Sequence, residues 1–460
     1  MRLTYHAPQP TAIDALLAHA RVVTHVLDAQ HLPWRIVGGA VRELVCGDAA
    51  LDVDIEVVAS STAAVWAQLV PFFAHALLID THKPVIRIRI NHQWFDISVT
   101  PHHALDVAAT SRDFTMNAMT IDSAGQFHDP CQGLTDLQAG VIRHLGDAFI
   151  DDPLRVLRMM RFAGMYDLQV APATAVAAHH VSHAAAALTR ERVWGEWYLW
   201  ATRSSVPSAG LAALRATGWL LHYPMLANLV GCPQDPVYHP EGDVWVHTGH
   251  VCDAVVRLAQ TEDVDERLVI MIAALCHDLG KPATTATTHT RIVSPGHAQA
   301  GMPVAAQFLT MIHAPARTHT LVIPLVGEHM VRLGATPSER AVRRLAQRLN
   351  PATIALWGKL VAADGAGRPP LPANHDAHAV LVVAEKLGIR DAKPVALVRG
   401  HDVLASGVPA GALVGEWLRR AYEAQLDGVF ATHTAGVAWL QQQLVGTQIS
   451  SETVDESSSQ

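Results

Sequence analysis

Leu51-Asp52-Val53-Asp54-Ile55-Glu56-Val57-Val58 places two carboxylates two residues apart in a β-like run. In a strand such residues point to one side, about 7 Å apart along the backbone, with Val53, Ile55 and Val57 turned to the core. Neighbouring acids repel, and they suit one or two Mg²⁺ ions, which take oxygen ligands and bind triphosphates. A solvated strand face is the plain alternative. Upstream, Ile36-Val37-Gly38-Gly39-Ala40-Val41-Arg42 reads as a strand turning on two glycines into a short helix. A phosphate can approach the main-chain N–H groups of Gly38 and Gly39, and Arg42 can meet the same anion. A turn that merely uses two glycines accounts for the same residues. The next strand acid, Asp96 in Trp94-Phe95-Asp96-Ile97-Ser98-Val99, sits on a hairpin expected beside the strand of the two acids. It is the candidate third carboxylate.

A second group comprises Arg112-Asp113-Phe114-Thr115-Met116-Asn117-Ala118 and Asp151-Asp152-Pro153-Leu154-Arg155-Val156-Leu157-Arg158-Met159-Met160-Arg161-Phe162. An aspartate followed by proline marks a helix start. Arg155, Arg158 and Arg161, spaced by three, then share one face, and Leu154, Leu157 and Phe162 supply an apolar one. By spacing alone this is equally a solvated arginine face with Asp152 as its cap.

Taken in order, GGAVR, the D-x-D pair, RDFT-x-N-A, Asp129-Pro130 with Gly133 and Asp136-Leu137, DDPLRVLR-x-x-RF, and Thr189-Arg190-Glu191-Arg192-Val193-Trp194-x-Glu196 form one series. That series resembles the bacterial class II tRNA nucleotidyltransferases, the CCA-adding enzymes and their relatives the bacterial poly(A) polymerases, over about residues 30 to 445. The resemblance implies attack of an RNA 3′-hydroxyl on the α-phosphate of ATP or CTP, with Mg²⁺ held by Asp52 and Asp54, and tRNA as partner. It places Asp152 and Arg155 on the base, with Asp151 nearby. Arg112, Arg158, Gly38, Gly39 and Arg42 fall on the triphosphate and sugar, and Asp113 and Asn117 in the same nucleotide site. The base chemistry is independent of the resemblance. Cytosine and adenine present an amino donor beside a ring-nitrogen acceptor, and uracil and guanine the reverse, so an Asp–Arg pair accepts the first two without a template. Glu43, Leu51, Ser111 and Asp151 depart from the family pattern at peripheral positions.

The chain holds 28 histidines, and neutral imidazole is a common metal ligand. His239-Pro240-Glu241-Gly242-Asp243-Val244-Trp245-Val246-His247-Thr248 precedes Ala274-Leu275-Cys276-His277-Asp278-Leu279-Gly280-Lys281. A His-Asp doublet ending a hydrophobic helix, after an earlier histidine, resembles the HD phosphohydrolase domain, with Asp364 as the distal ligand. His247, His277, Asp278 and Asp364 then converge on one divalent ion, Ni²⁺, Mn²⁺ or Mg²⁺, since a buried charged doublet is costly unless paired or metal-bound. His297 and His329 stand where they could touch a substrate phosphate, or pack as ordinary histidines. In relatives such a domain carries phosphatase and 2′,3′-cyclic phosphodiesterase activities.

The elements that must position these groups are of two kinds. Short β-like runs alternate with turns over residues 35 to 145; in Val85-Ile86-Arg87-Ile88-Arg89-Ile90 the isoleucines take one face and the arginines the other. From Asp152 the pattern is helical. The expected fold class is α+β, a polymerase-beta-like nucleotidyltransferase α/β head followed by all-α parts. The parts are a head (1–145), a nucleotide-selecting neck (146–235), an HD-type body (236–370), a helical tail contacting tRNA (371–446) and a disordered end (447–460). With 460 residues, half of them hydrophobic and 17% charged, the chain is globular rather than disordered. Five scattered cysteines without a C-x-x-C pair argue against a disulfide framework or a cysteine zinc site. The start MRLTYHAPQP lacks a signal-peptide layout and no long apolar run occurs, so a cytoplasmic location away from membranes is expected. A net charge of −8 disfavours a non-enzymatic RNA-binding protein. A poly(A) polymerase, a CC-only or A-only enzyme, and a phosphohydrolase with an RNA-binding head remain as alternatives.

Overall fold

The structure, a computed structural model, describes residues 5–47, 52–79, 84–101, 105–258, 263–373 and 377–456, without the side chains of 105–107, 148 and 446–456. Leu51, beside the first acid, lies outside the described residues. The chain divides into two compact units, Met1–Ala227 and Asn228–Gln460. The expected head and most of the neck share the first; the expected body and tail share the second.

In the first unit, helix Pro10–Ala29 starts with proline at its first turn and buries Ile13, Leu16, Ala20, Val23 and Leu27, a spacing of three and four. A seven-stranded sheet follows. Its strands are β1 (Trp34–Val37), β2 (Val53–Val58), β3 (Leu77–Ile79), β4 (Val85–Ile90), β5 (Gln93–Thr100), β6 (Thr120–Asp122) and β7 (Phe127–His128), in the order β3-β4-β5-β2-β1-β6-β7. β2 and β5 are parallel and place Asp54 opposite Asp96, whereas β1 pairs with β2 antiparallel and places Val37 opposite Asp54. The β4–β5 hairpin turns on Asn91 and His92, both with positive φ, as a tight two-residue connection requires. The four β-like runs of the sequence fall on β1, β2, β4 and β5. The strands β3, β6 and β7 are two or three residues long, too short to show a period.

Beyond the sheet, helix Leu154–Tyr166 lies against helices Arg190–Arg203 and Pro207–Ala216. Small residues permit the approach. A β-carbon at Gly210 would come 2.6 Å from the Met160 carbonyl, and one at Gly164 would come 2.5 Å from Ser204 Oγ.

In the second unit, helix Val264–Cys276 is buried without a break from Leu268 to Cys276. Helices Val244–Leu258, Ala316–Glu328 and Ile354–Ala366 surround it. Such an all-round apolar helix fixes its C-terminal end, and that end carries His277 and Asp278. Farther on, Val398, Val403, Val408, Trp417, Ala421, Phe430 and Leu440 form a separate small core. The last helix, His433–Glu456, continues into the stretch expected to be disordered; 457–460 lie outside the described residues. Polar composition there removes apolar burial without forbidding local helix. Among the described residues no helix is long and apolar enough to cross a membrane.

Candidate active sites

The turn from β1 into helix Gly39–Cys46 brings the backbone against the first acid of β2. Gly38 has φ +69°, and a β-carbon there would lie 2.9 Å from Asp54 Oδ2 and 3.1 Å from Arg112 Nη1. The Gly39 N–H donates to the Asp54 carboxylate. Burial raises the Asp54 pKa, the Arg112 charge opposes that, and the Asp96 charge adds to it. Asp96 accepts two hydrogen bonds from Arg87, 2.7 Å from Nε and 2.6 Å from Nη2. Asp52 precedes β2, is exposed, and accepts the Trp94 N–H at 3.4 Å. Two strand acids in register, one half-buried and reluctant to ionise, are a donor set that fits an oxygen-seeking divalent cation such as Mg²⁺.

Asp54 and Asp96 face a cavity of about 890 Å³ whose lining also includes Arg112, Asp152, Arg155, Arg158 and Arg192. The candidate metal-binding acids and the candidate base-reading pair therefore share one space. Asp152 Oδ2 is paired with Arg192 Nη2 at 2.5 Å, and its Oδ1 accepts the Leu154 N–H at 3.2 Å. Arg155 donates to the carbonyls of Ser111 and Arg112, each at 3.4 Å. Asp151 is exposed and is not among the lining residues.

Several residues read as nucleotide contacts also hold one another. Arg42 is 6% exposed; it donates to Asn117 Oδ1 and, at 3.0 Å, to the Tyr166 hydroxyl, and lies 4.8 Å above the Phe162 ring. Its first-turn position in the sequence gave no sign of this, because Asn117, Phe162 and Tyr166 are remote in the chain. Asn117 Nδ2 donates to Asp113 Oδ1 at 2.7 Å, and Arg158 Nε donates to Asp113 Oδ2 at 2.8 Å. Burial would raise the Asp113 pKa, but the Arg158 charge and these hydrogen bonds outweigh it and hold the carboxyl below its usual value. Glu196 lies 3.9 Å from Arg158 and 2.7 Å from Arg161. The arginine face, which spacing alone left open to a solvated reading, is thus a half-buried ion network, of which Asp113, Arg155 and Arg158 also line the cavity.

The second unit holds another cavity, of about 400 Å³, lined in part by Asp278, Lys281, His297, His329, Asp364 and Arg368. His247, His277 and Asp364 offer ligand atoms within 4.8 Å of one another, and so do Asp278, His297 and His329. All six are buried. His247 Nε2 lies 3.2 Å from Asp364 Oδ1 and 3.3 Å from His277 Nε2. On the other side of that ring, Nδ1 lies 2.8 Å from Glu241 Oε1. Glu241 stands in the quoted histidine segment, and its six-residue spacing from His247 gave no warning that the chain folds back to meet it. A carboxylate behind a histidine fixes its tautomer and raises its basicity toward a metal. Burial pulls the His247 pKa down, but Asp364 and Glu241 reverse this and push it up to about 9. His329 is held down at about 3 by burial and the neighbouring His277. Buried imidazoles and carboxylates in this arrangement fit a divalent transition ion, whose loading displaces protons from the histidines. His239, His401, Asp402 and His433 form lesser groups. In the tail, Arg399 and Arg419 are exposed, and Arg420 pairs with Glu416 at 2.7 Å.

A mixed sheet presenting paired acids to a cavity capped by an Asp–Arg helix defines a nucleotidyltransferase head. The model of the poly A polymerase head domain matches residues 34–143. A multifunctional CCA protein of Halorhodospira halophila is 33% identical over 310 residues, 64% of this chain and 72% of that one. One of Paracidovorax citrulli is 31% identical over 417 residues, 84% of this chain and 95% of that one. The chain belongs to this family of CCA-adding tRNA nucleotidyltransferases and is an enzyme of that class. Among solved structures, the fold is similar to a CCA-adding enzyme of Bacillus stearothermophilus in complex with CTP, with TM-score 0.66, 19% identity and coverage of 94% of this chain and 99% of that one. It is also similar to the Thermotoga maritima CCA-adding enzyme complexed with tRNA, with TM-score 0.55, 16% identity and coverage of 94% and 96%.

Proposed function

We propose that the protein adds C, C and A to the 3′ end of tRNA from CTP and ATP. The observation that carries this reading is the single cavity shared by Asp54 and Asp96 with Asp152 and Arg155. Asp54 and Asp52, with Asp96 beside them, would hold Mg²⁺. Bound there, the ion supplies charge neutralisation at the reacting phosphate and the leaving pyrophosphate. Arg112, placed by Gly38 against Asp54, binds the triphosphate. The Asp152 carboxylate, steadied by Arg192, accepts the amino group of cytosine or adenine, and Arg155 donates to the adjacent ring nitrogen. Uracil and guanine would set carbonyl against carboxylate and N–H against guanidinium.

The second unit supports a metal-dependent phosphohydrolase of the HD type. His247, His277, Asp278 and Asp364 would hold the ion, and Lys281, His297 and His329 face the same cavity, where a phosphate ester would enter.

Purified protein incubated with tRNA lacking its terminus, with CTP, ATP or both, tests the first reading by product length. Growth by the full trinucleotide only with both nucleotides is expected. Long adenosine tails with ATP alone would make it a poly(A) polymerase, and extension by CC or A alone would make it a partial enzyme.

A further inference from the structure

The sheet face that carries the acids of the first unit extends beyond them. By strand register, Asp54 on β2, Asp96 on β5 and Arg87 on β4 form one row across three strands. Residues two apart along a strand share a face, so Trp94 and Arg89, paired with each other, stand in the next row of that same face. Asp52 lies beside them and accepts the Trp94 N–H at 3.4 Å. The half-buried indole has two guanidinium groups against it, with the Arg87 carbon 5.5 Å and the Arg89 carbon 5.3 Å from the ring centroid. Both distances fall within the reach of a cation–π contact. Arg87 is held in place by its two hydrogen bonds to Asp96. Those bonds raise its pKa, burial opposes them, and the charges of Asp52 and Asp54 add to the rise. The arginine thus lies within electrostatic reach of both candidate metal ligands. Arg89 is exposed and also meets His92 Nδ1 at 3.3 Å.

The cavity that holds Asp152 and Arg155 runs the other way. From Asp54 and Asp96 its lining continues along the strands to Glu56, Ser98 and Thr100, and it includes none of Asp52, Arg87, Arg89 and Trp94. Phosphoryl transfer sets the attacking and leaving oxygens roughly in line across the reacting phosphate. With the triphosphate in the cavity, the side beyond Asp52 is the one left to the attacking end, and the indole stands there, about 7 Å along the strands from the row of Asp54. Aromatic rings interleaved with basic side chains hold single-stranded nucleic acid, the bases stacking on the rings and the cations meeting the phosphates. A chain of net charge −8 has to hold a polyanion by local groups of this kind.

We propose that Trp94, Arg87 and Arg89 bind the unpaired 3′ end of the RNA, with its last base stacked on the indole and its phosphates on the guanidinium groups. The inference rests on the reading of the head as an enzyme that extends RNA. Stacking accepts any base, since every base has a π-face. That tolerance suits an end whose last base changes with each nucleotide added, whereas selection of the incoming base stays with Asp152 and Arg155.

The full-length chain and its Trp94→Ala, Trp94→Phe and Arg89→Ala variants are assayed with CTP and tRNA lacking its terminus, and KM is measured separately for the RNA and for CTP. Trp94→Ala is expected to raise the KM for RNA about tenfold, within the worth of one base–aromatic stack, and to leave the KM for CTP unchanged. Trp94→Phe should restore most of the loss. Arg89→Ala should raise the same KM and flatten its dependence on salt. A primer whose last nucleotide lacks its base should bind the parent chain as weakly as the intact primer binds Trp94→Ala, and should lose nothing further in that variant. An unchanged KM for RNA in Trp94→Ala, or a rise confined to CTP, overturns the platform and leaves the RNA-extending reading standing. No extension by the parent chain overturns both. The abasic primer decides the question even if Trp94→Ala fails to fold, because equal binding of the two primers by the parent chain overturns the stack.

Discussion

A methyl group at position 38 would strike the centre of the nucleotidyltransferase site. Gly38 combines φ +69° with ψ −127°, a conformation that a residue with a β-carbon adopts only at a cost of about 1–3 kcal/mol. The added carbon would also displace Asp54 Oδ2 and Arg112 Nη1 together. Gly38→Ala is therefore expected to lower stability modestly and to lower nucleotide addition far more, by about 10²-fold, the penalty typical of an ångström-scale misplacement of reacting groups. Thermal melting and primer extension on the same preparation check this; an unchanged addition rate in a folded variant would show that the close approach is incidental. The sequence made the glycine pair and Asp54 legible because their chemistry depends on local spacing. Arg42 and Glu241 were not legible in the same way. Both stood in quoted segments, but their partners Asn117, Tyr166 and His247 come to them through tertiary folding, which spacing does not encode.

At the scale of elements, the helix Leu154–Tyr166 is joined to the head by Asp113 and Arg158, forty-five residues apart in the chain. The periodicity of that helix was readable, and so was its arginine row. That the row is half-buried and ion-paired was not, since Asp113 and Glu196 arrive from other segments to neutralise it. Because Arg158 holds the Asp113 carboxyl below its usual value despite burial, the unfolded chain takes up this proton before the folded one. The contribution to stability is thus complete above the ordinary aspartate value, near pH 4, and is lost as pH falls through the lower folded value. Asp113→Asn is expected to destabilise the protein by about 1–3 kcal/mol near neutrality, between the worth of an exposed and a buried pair. The gap from the parent chain should hold from about pH 6 down to about pH 4 and narrow as pH falls further. Denaturant titrations across that range measure it, and a gap that stays constant with pH would mean that the charge of Asp113 contributes nothing.

For the whole molecule, the division into two compact units gives each proposed site its own core. The first cavity draws its lining from residues 54 to 192 and the second from residues 234 to 368. The acids of the first are carried by parallel strands β2 and β5; those of the second sit at the ends of buried helices, with His277 and Asp278 fixed by the apolar helix before them. No side chain belongs to both linings, so damage to either should stay within its unit. A bound ion supplies several kcal/mol of charge stabilisation in the transition state, and at 1.36 kcal/mol per tenfold its loss corresponds to about 10³-fold in rate. Asp54→Asn is accordingly expected to reduce nucleotide addition by that factor and to leave hydrolysis of a phosphate ester by the loaded protein unchanged. His277→Ala should do the opposite, because it removes a ligand that no residue of the first unit can replace. Assaying both activities in both variants, with circular dichroism to confirm folding, makes the crossed pattern decisive: if one substitution abolishes both activities in a folded protein, the two centres act as one.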